Sequence, residues 1–263
     1  MTQVDIEHAV GLLIECRETG RPIPDLPDGL RPGSWDEAYA IQDALHAEGG
    51  WGTAALKVGA TSEAAQKALG TDGPFTGRLP AGALFDSGST LDSAPIFHHP
   101  PRLESEFALR LGSGVATVDP DDLEAVRAVV DAVAPALELV GSRYQNMGKV
   151  SAMSLVADNA GSAAIVLGQP VAADQLGDLA SIAVTLTSGS GERLGAGTGA
   201  DVMGDPVRSL QWVLRHERDR GRTPEAGIWV ITGTCTGMVP YPLGQTVVAH
   251  FAGLGEVSVT VTE

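Results

Sequence analysis

Four charged side chains stand where a globular chain ordinarily places apolar ones. In Arg102-Leu103-Glu104-Ser105-Glu106-Phe107-Ala108-Leu109-Arg110-Leu111, the apolar Leu103, Phe107, Leu109 and Leu111 alternate with the other positions, so the segment reads as a β-strand. Glu104 and Glu106 then share one face, about 7 Å apart along the strand. Carboxylates at that spacing repel each other unless water solvates them or a cation bridges them, and hard Mg²⁺ or Mn²⁺ suits such oxygen ligands. Spacing alone leaves two readings, a solvated outer face and part of a metal site. A third carboxylate, Glu138 in Pro135-Ala136-Leu137-Glu138-Leu139-Val140, interrupts an otherwise apolar strand. An unpaired charge there costs several kcal/mol, so it needs a metal or a cationic partner, for which Arg143 and Arg102 are the nearest candidates. Lys57 raises the same question in Ala54-Ala55-Leu56-Lys57-Val58-Gly59, being either a lysine on an edge strand or a buried ammonium that requires acids nearby.

Weaker signals surround these. Asp158 and Asn159 lie between the apolar runs Met153–Val156 and Ala163–Leu167, where an Asx-turn joining two strands accounts for them. Gly195-Ala196-Gly197-Thr198-Gly199 resembles a phosphate-cradling loop, but without a βαβ context it reads as a tight turn. Thr232-Gly233-Thr234-Cys235-Thr236-Gly237 follows the strand Ile228–Ile231; it is either a glycine turn or a loop whose N–H groups receive a substrate carboxylate. A thiol enzyme using Cys235 lacks a histidine close in sequence to activate it.

The elements that must position these residues fall into two textures. Up to residue 72 the chain reads helical, with Ile6, Val10, Leu13 and Ile14 at helical spacing, a second helix capped by Ser34, and a third starting at Thr61 or Ser62 and stopping at Gly70. The strand carrying Lys57 lies between the last two. From residue 73 to 263, short apolar runs alternate with glycine and proline, with helical inserts at Asp121–Val133 and Pro206–Glu217. Val247–Phe251 and Val257–Val261 flank a hairpin turn. The expected class is α+β, an N-terminal helical subdomain (1–72) on a rolled or sandwiched β domain (73–263).

Composition narrows the function classes. The 263 residues carry 17 basic and 33 acidic side chains, a net charge of −16, which repels polyanions, and no basic run offers a nucleic-acid stripe. No apolar run approaches the roughly 20 residues that cross a bilayer. The first residues are acidic, and the two cysteines form no framework, so a reducing, cytoplasmic setting is expected.

Taken in order, Lys57-Val58-Gly59, the Glu104-Ser105-Glu106 strand, Ala136-Leu137-Glu138-Leu139-Val140-Gly141-Ser142-Arg143, Val156-Ala157-Asp158-Asn159-Ala160, Ile231-Thr232-Gly233-Thr234 and Gly253-Leu254-Gly255 resemble the hydratase/decarboxylase branch of the fumarylacetoacetate hydrolase superfamily. The resemblance runs from about Ala38 to the end. It implies a mixed β-roll and one Mg²⁺ or Mn²⁺ held by Glu104, Glu106 and Glu138, with a 2-oxo or 2-hydroxydienoic acid chelating the ion. Lys57 is implied as proton donor or electrostatic clamp, and Asp158 as a second catalytic candidate in a proton-transfer or supporting role. Phe75, Leu79, Asn159, Gly161 and Thr234 are the implied substrate-binding positions. Phe75 stands where the hydratases carry an acid and Gly161 where serine is expected, and Phe75 tilts the expectation toward decarboxylation of an oxalocrotonate-type 2-oxo-enedioate, with hydration of 2-hydroxypenta-2,4-dienoate as the alternative. A C–C hydrolase is disfavoured because no histidine lies between His46 and His98. A non-catalytic binding subunit conflicts with the retention of all three glutamates. The expected partners are the small 2-oxo acid and a homo-oligomer, or a pathway partner of the same family.

Overall fold

The computed structural model describes residues 1–175 and 177–262. Helix α1 (Gln3–Thr19) opens with a Thr2–Asp5 capping box and stops at Gly20 in the left-handed region; α2 (Trp35–Glu48) is capped by Ser34. Strand β1 (Ala55–Gly59) precedes α3 (Glu63–Leu69), whose cap is Ser62 and whose stop is Gly70. Then follow β2 (Phe75–Leu79), β3 (Leu84–Asp86), β4 (Ser89–Asp92), β5 (Arg102–Leu111), α4 (Leu123–Ala128), β6 (Val130–Val140), α5 (Ala152–Ala157) and β7 (Ser162–Leu167). The chain continues through β8 (Val171–Ala172), β9 (Ala183–Ser188), β10 (Arg193–Thr198), α6 (Pro206–Asp219), β11 (Trp229–Thr234), β12 (Val239–Pro240), β13 (Thr246–Phe251) and β14 (Gly255–Thr262).

Two sheets result. One runs β2-β1-β11-β5-β6-β7-β3, with β12 and β8 paired to β5 and β6; the other runs β10-β9-β13-β14-β4. Their facing sides enclose the main core, in which Phe107 meets Phe251 edge to face at 5.0 Å. The larger sheet curls, so that Leu79 of β2 and Ile165 of β7 share an interior cluster with Ala108, Ala134 and Ala136. This is the expected mixed β-roll. Helices α1 and α2 pack their own apolar cluster against Tyr144 and Leu155, while β1 lies in the sheet between β2 and β11.

Three local expectations change. The helix expected over 121–133 ends at Ala128, because Val130–Val133 are taken into β6 against β5. Met153–Val156 is not a strand: Ser151 accepts the Ser154 N–H at 3.0 Å and caps α5, which buries Leu155 and Val156. Gly195–Gly199 is not a turn, since most of it forms β10, and a Cβ at Gly197 would strike the Cys235 carbonyl. No helix among the described residues is long and apolar enough to cross a membrane.

Candidate active site

Strand alternation places the four charged residues together. Leu56 and Val58 of β1, Leu103 and Phe107 of β5, and Leu137 and Leu139 of β6 all enter the main core. Lys57, Glu104, Glu106 and Glu138 therefore project from the opposite face of the same sheet. Register completes the cluster: Glu104 sits directly across from Glu138, and Glu106 across from Thr234, while β1 pairs with β11 on the far side. One oxygen from each glutamate lies within 4.8 Å of the others.

Glu106 and Glu138 are fully buried and Lys57 is 5% exposed. Lys57 Nζ stands 3.3 Å from Glu138 Oε1, an ion pair whose geometry falls short of a hydrogen bond. Neither sequence candidate for pairing Glu138 does so: Arg143 is taken by Asp158, Arg102 forms no ion pair among the described residues, and Lys57 fills the role. Gly233 donates its N–H to Glu106 Oε2 at 2.6 Å, whereas Glu106 Oε1 and both Glu138 oxygens receive no hydrogen bond. Buried carboxylate oxygens with open lone pairs are costly alone and are the donor set of a hard divalent cation. The residues present thus fit such an ion.

The electrostatics agree. Burial, then the Glu138 charge, push the Glu104 carboxyl up to about 7, with Lys57 pulling the other way. Burial together with Glu138 and Glu104 raises Glu106 well above the usual carboxylate range. For Lys57 burial opposes the charged form, but Glu138, Glu104 and Glu106 outweigh it and the net shift is upward, so the ammonium persists. A cation replaces the protons these acids otherwise retain.

A cavity of about 400 Å³ opens over the cluster, with Lys57, Phe75, Glu104, Gly161 and Thr234 in its lining. The other sequence candidates lie elsewhere. Asp158 is outside the lining and fully buried, its carboxylate accepting Ser142 Oγ–H and the Arg143 N–H, each at 2.7 Å, and pairing with the Arg143 guanidinium. Asn159 spans the backbone of Arg78, accepting its N–H at 2.8 Å and donating to its carbonyl at 2.7 Å, and receives the His46 Nε2–H at 3.2 Å. Leu79 fills the interior of the roll. The reading of 232–237 as a carboxylate-binding loop anticipated the chemistry of Gly233 but not its target, which is the chain's own Glu106. Gly233 can serve because its φ of +109° suits glycine, and a Cβ would collide with Thr61.

Residues 56–262 match the fumarylacetoacetate (FAA) hydrolase C-terminal family. The chain belongs to the fumarylacetoacetate hydrolase family. Within it, the chain is 34% identical over 263 residues to a 2-keto-4-pentenoate hydratase of Paraburkholderia xenovorans strain LB400, covering 98% of this chain and 95% of that protein. It is 30% identical over 260 residues to a 4-oxalocrotonate decarboxylase of Pseudomonas putida, covering 96% and 93%. The solved structure of 4-oxalocrotonate decarboxylase from Pseudomonas putida G7, complexed with magnesium and adipate, superposes with a TM-score of 0.90 at 26% identity, over 99% of this chain and 98% of that one.

Proposed function

We propose that this member of the family is a divalent-metal-dependent lyase acting on a 2-oxo or 2-hydroxydienoic acid. The observation that carries the proposal is the cluster at the cavity, where three carboxylates come within 4.8 Å of one another, Glu106 and Glu138 keep open lone pairs, and the buried Lys57 ammonium pairs with Glu138. Glu104, Glu106 and Glu138 would hold Mg²⁺ or Mn²⁺. When bound, the ion supplies Lewis-acid polarisation of the substrate's C1 carboxylate and C2 oxygen. Lys57 would stabilise negative charge growing on that oxygen and move a proton at Nζ. Gly233 holds Glu106 in orientation through its N–H. Thr234 and Gly161 are assigned to the substrate because they share the cavity with Lys57, while Asp158, Asn159 and Leu79 are assigned to support of the walls.

Two reactions share this chemistry. Phe75 places an apolar ring on the cavity wall, which desolvates a departing carboxylate and supports decarboxylation of a 2-oxo-enedioate. Hydration of a 2-hydroxypentadienoate is supported by Lys57 as the proton source and by relatives named hydratases at 34% identity, a value that a 4-oxalocrotonate decarboxylase of a Pseudomonas species also reaches. A proton NMR time course with 2-oxo-3-hexenedioate and 2-hydroxypentadienoate, each with and without Mg²⁺ or Mn²⁺, tests the proposal. Metal-dependent loss of CO₂ or addition of water supports it and identifies the reaction; inertness toward both acids with either ion overturns it. The same reading includes cytoplasmic residence and a homo-oligomer or a complex with a pathway partner of the same family, checked by light scattering.

A further inference from the structure

A second, smaller cavity lies away from the carboxylate cluster. Its volume is about 70 Å³, and Arg17, Trp51, Asn159 and Ser162 line it together with apolar side chains. Arg17 comes from the last turn of α1, with its guanidinium 5.1 Å over the Trp51 ring. Its Nε and Nη2 are buried and donate to nothing, and no carboxylate among the described residues pairs with it. Ser162 Oγ, on a residue 1% exposed at the start of β7, is likewise buried without a partner. The ionised groups that act on it are Arg143 and Asp158, and Asp158 is already committed to Arg143. Burial, then Arg143, pull the Arg17 guanidinium down to about 9, with Asp158 opposing.

The cavity is thus bordered by unused donors and one uncompensated positive charge. Water satisfies donors but leaves the charge unbalanced, whereas an anion does both. The volume admits a halide or a carboxylate the size of formate. We propose that Arg17 and Ser162 form a binding site for a small monovalent anion, separate from the metal-type cluster. The site borders the reaction cavity through chain continuity, since Ser162 follows Gly161, which lines that cavity. Between the two cavities the chain passes through Asn159–Gly161 with φ of +57°, +58° and +67°.

The test measures the thermal midpoint of the full chain at constant ionic strength in sodium chloride, bromide, formate or gluconate, for the parent, Arg17→Met and Ser162→Ala. Gluconate serves as the bulky reference anion. A saturable rise of about 3–6 °C at ten times Kd is expected for the small anions in the parent. It should vanish in Arg17→Met and weaken in Ser162→Ala. A response to chloride and bromide without formate assigns a halide site; a response to formate alone assigns a carboxylate site. Equal midpoints in all four salts, or a chloride response undiminished in Arg17→Met, would overturn the proposal. Crystals grown in bromide supply an independent readout, with an anomalous peak expected between Arg17 and Ser162.

Discussion

Glu106→Gln should produce two opposite effects in one protein. The three carboxylates approach within 4.8 Å, where two unit charges at an effective dielectric of about 20 repel by at least about 3.5 kcal/mol. The rise of Glu104 from 4.5 to about 7 corresponds to roughly 3 kcal/mol, the same order. The metal-free protein therefore carries strain in this cluster, relieved partly by retained protons and partly by Lys57. Its folded-state carboxyl values are raised, so their contribution to stability is full below about 4.5 and is lost as pH rises toward 7. Glutamine keeps the shape, and its amide oxygen can accept the Gly233 N–H, but it removes one charge. In chelator, Glu106→Gln should melt at or above the parent, with a gain of about 1–2 kcal/mol at pH 7.5, because retained protons already relieve part of the repulsion. Calorimetric titration with Mn²⁺ should nonetheless show affinity reduced at least about 100-fold, and parent affinity should itself tighten from pH 6 to 8 as the acids ionise. If Glu106→Gln binds Mn²⁺ as tightly as the parent, the carboxylates are not the ligands and the reasoning fails.

Other expectations follow from neighbouring contacts. Lys57→Met should fold and still bind Mn²⁺ but turn over poorly; unchanged kcat and KM would make Lys57 a structural counter-ion of Glu138. Phe75→Asp should not improve CO₂ release, and a faster decarboxylase carrying that substitution would show that a missing acid, not an apolar wall, limits the reaction. Asp158→Asn strands the 2%-exposed Arg143 and should lower stability in urea by about 3–5 kcal/mol, so a variant of parental stability would contradict the assigned supporting role. Burial first, then Arg78, hold the His46 imidazole at about 4, against 6.5 when exposed. It therefore contributes stability above pH 6.5 that is lost as pH falls toward 4, by roughly 3 kcal/mol at most, and His46→Gln should flatten that part of the acid-unfolding curve.

Legibility in the sequence followed the range of the forces involved. Alternation along β5 places Glu104 and Glu106 on one face without reference to any other segment, because side chains on a strand alternate wherever the strand lies. The caps at Ser34 and Ser62, the stop at Gly70 and the β13–β14 hairpin are equally local, decided within four or five residues. The partners of the buried charges were beyond such reasoning. Whether Glu138 meets Arg143 or Lys57 depends on β1 reaching the same face through β11 and β5, and on Asp158 claiming Arg143 first. Met153–Val156 is apolar enough for either a strand or a helix, and the Ser151 cap together with packing against α2 makes it a helix. Leu79, next to Arg78 in a strand, enters the roll instead of the cavity because the sheet curls until β2 and β7 meet. The chain's residue order dictates which acids exist and which way each faces along its strand; the curl and register of the sheet, arising from contacts across most of the chain, decide that four of those charges share one buried site.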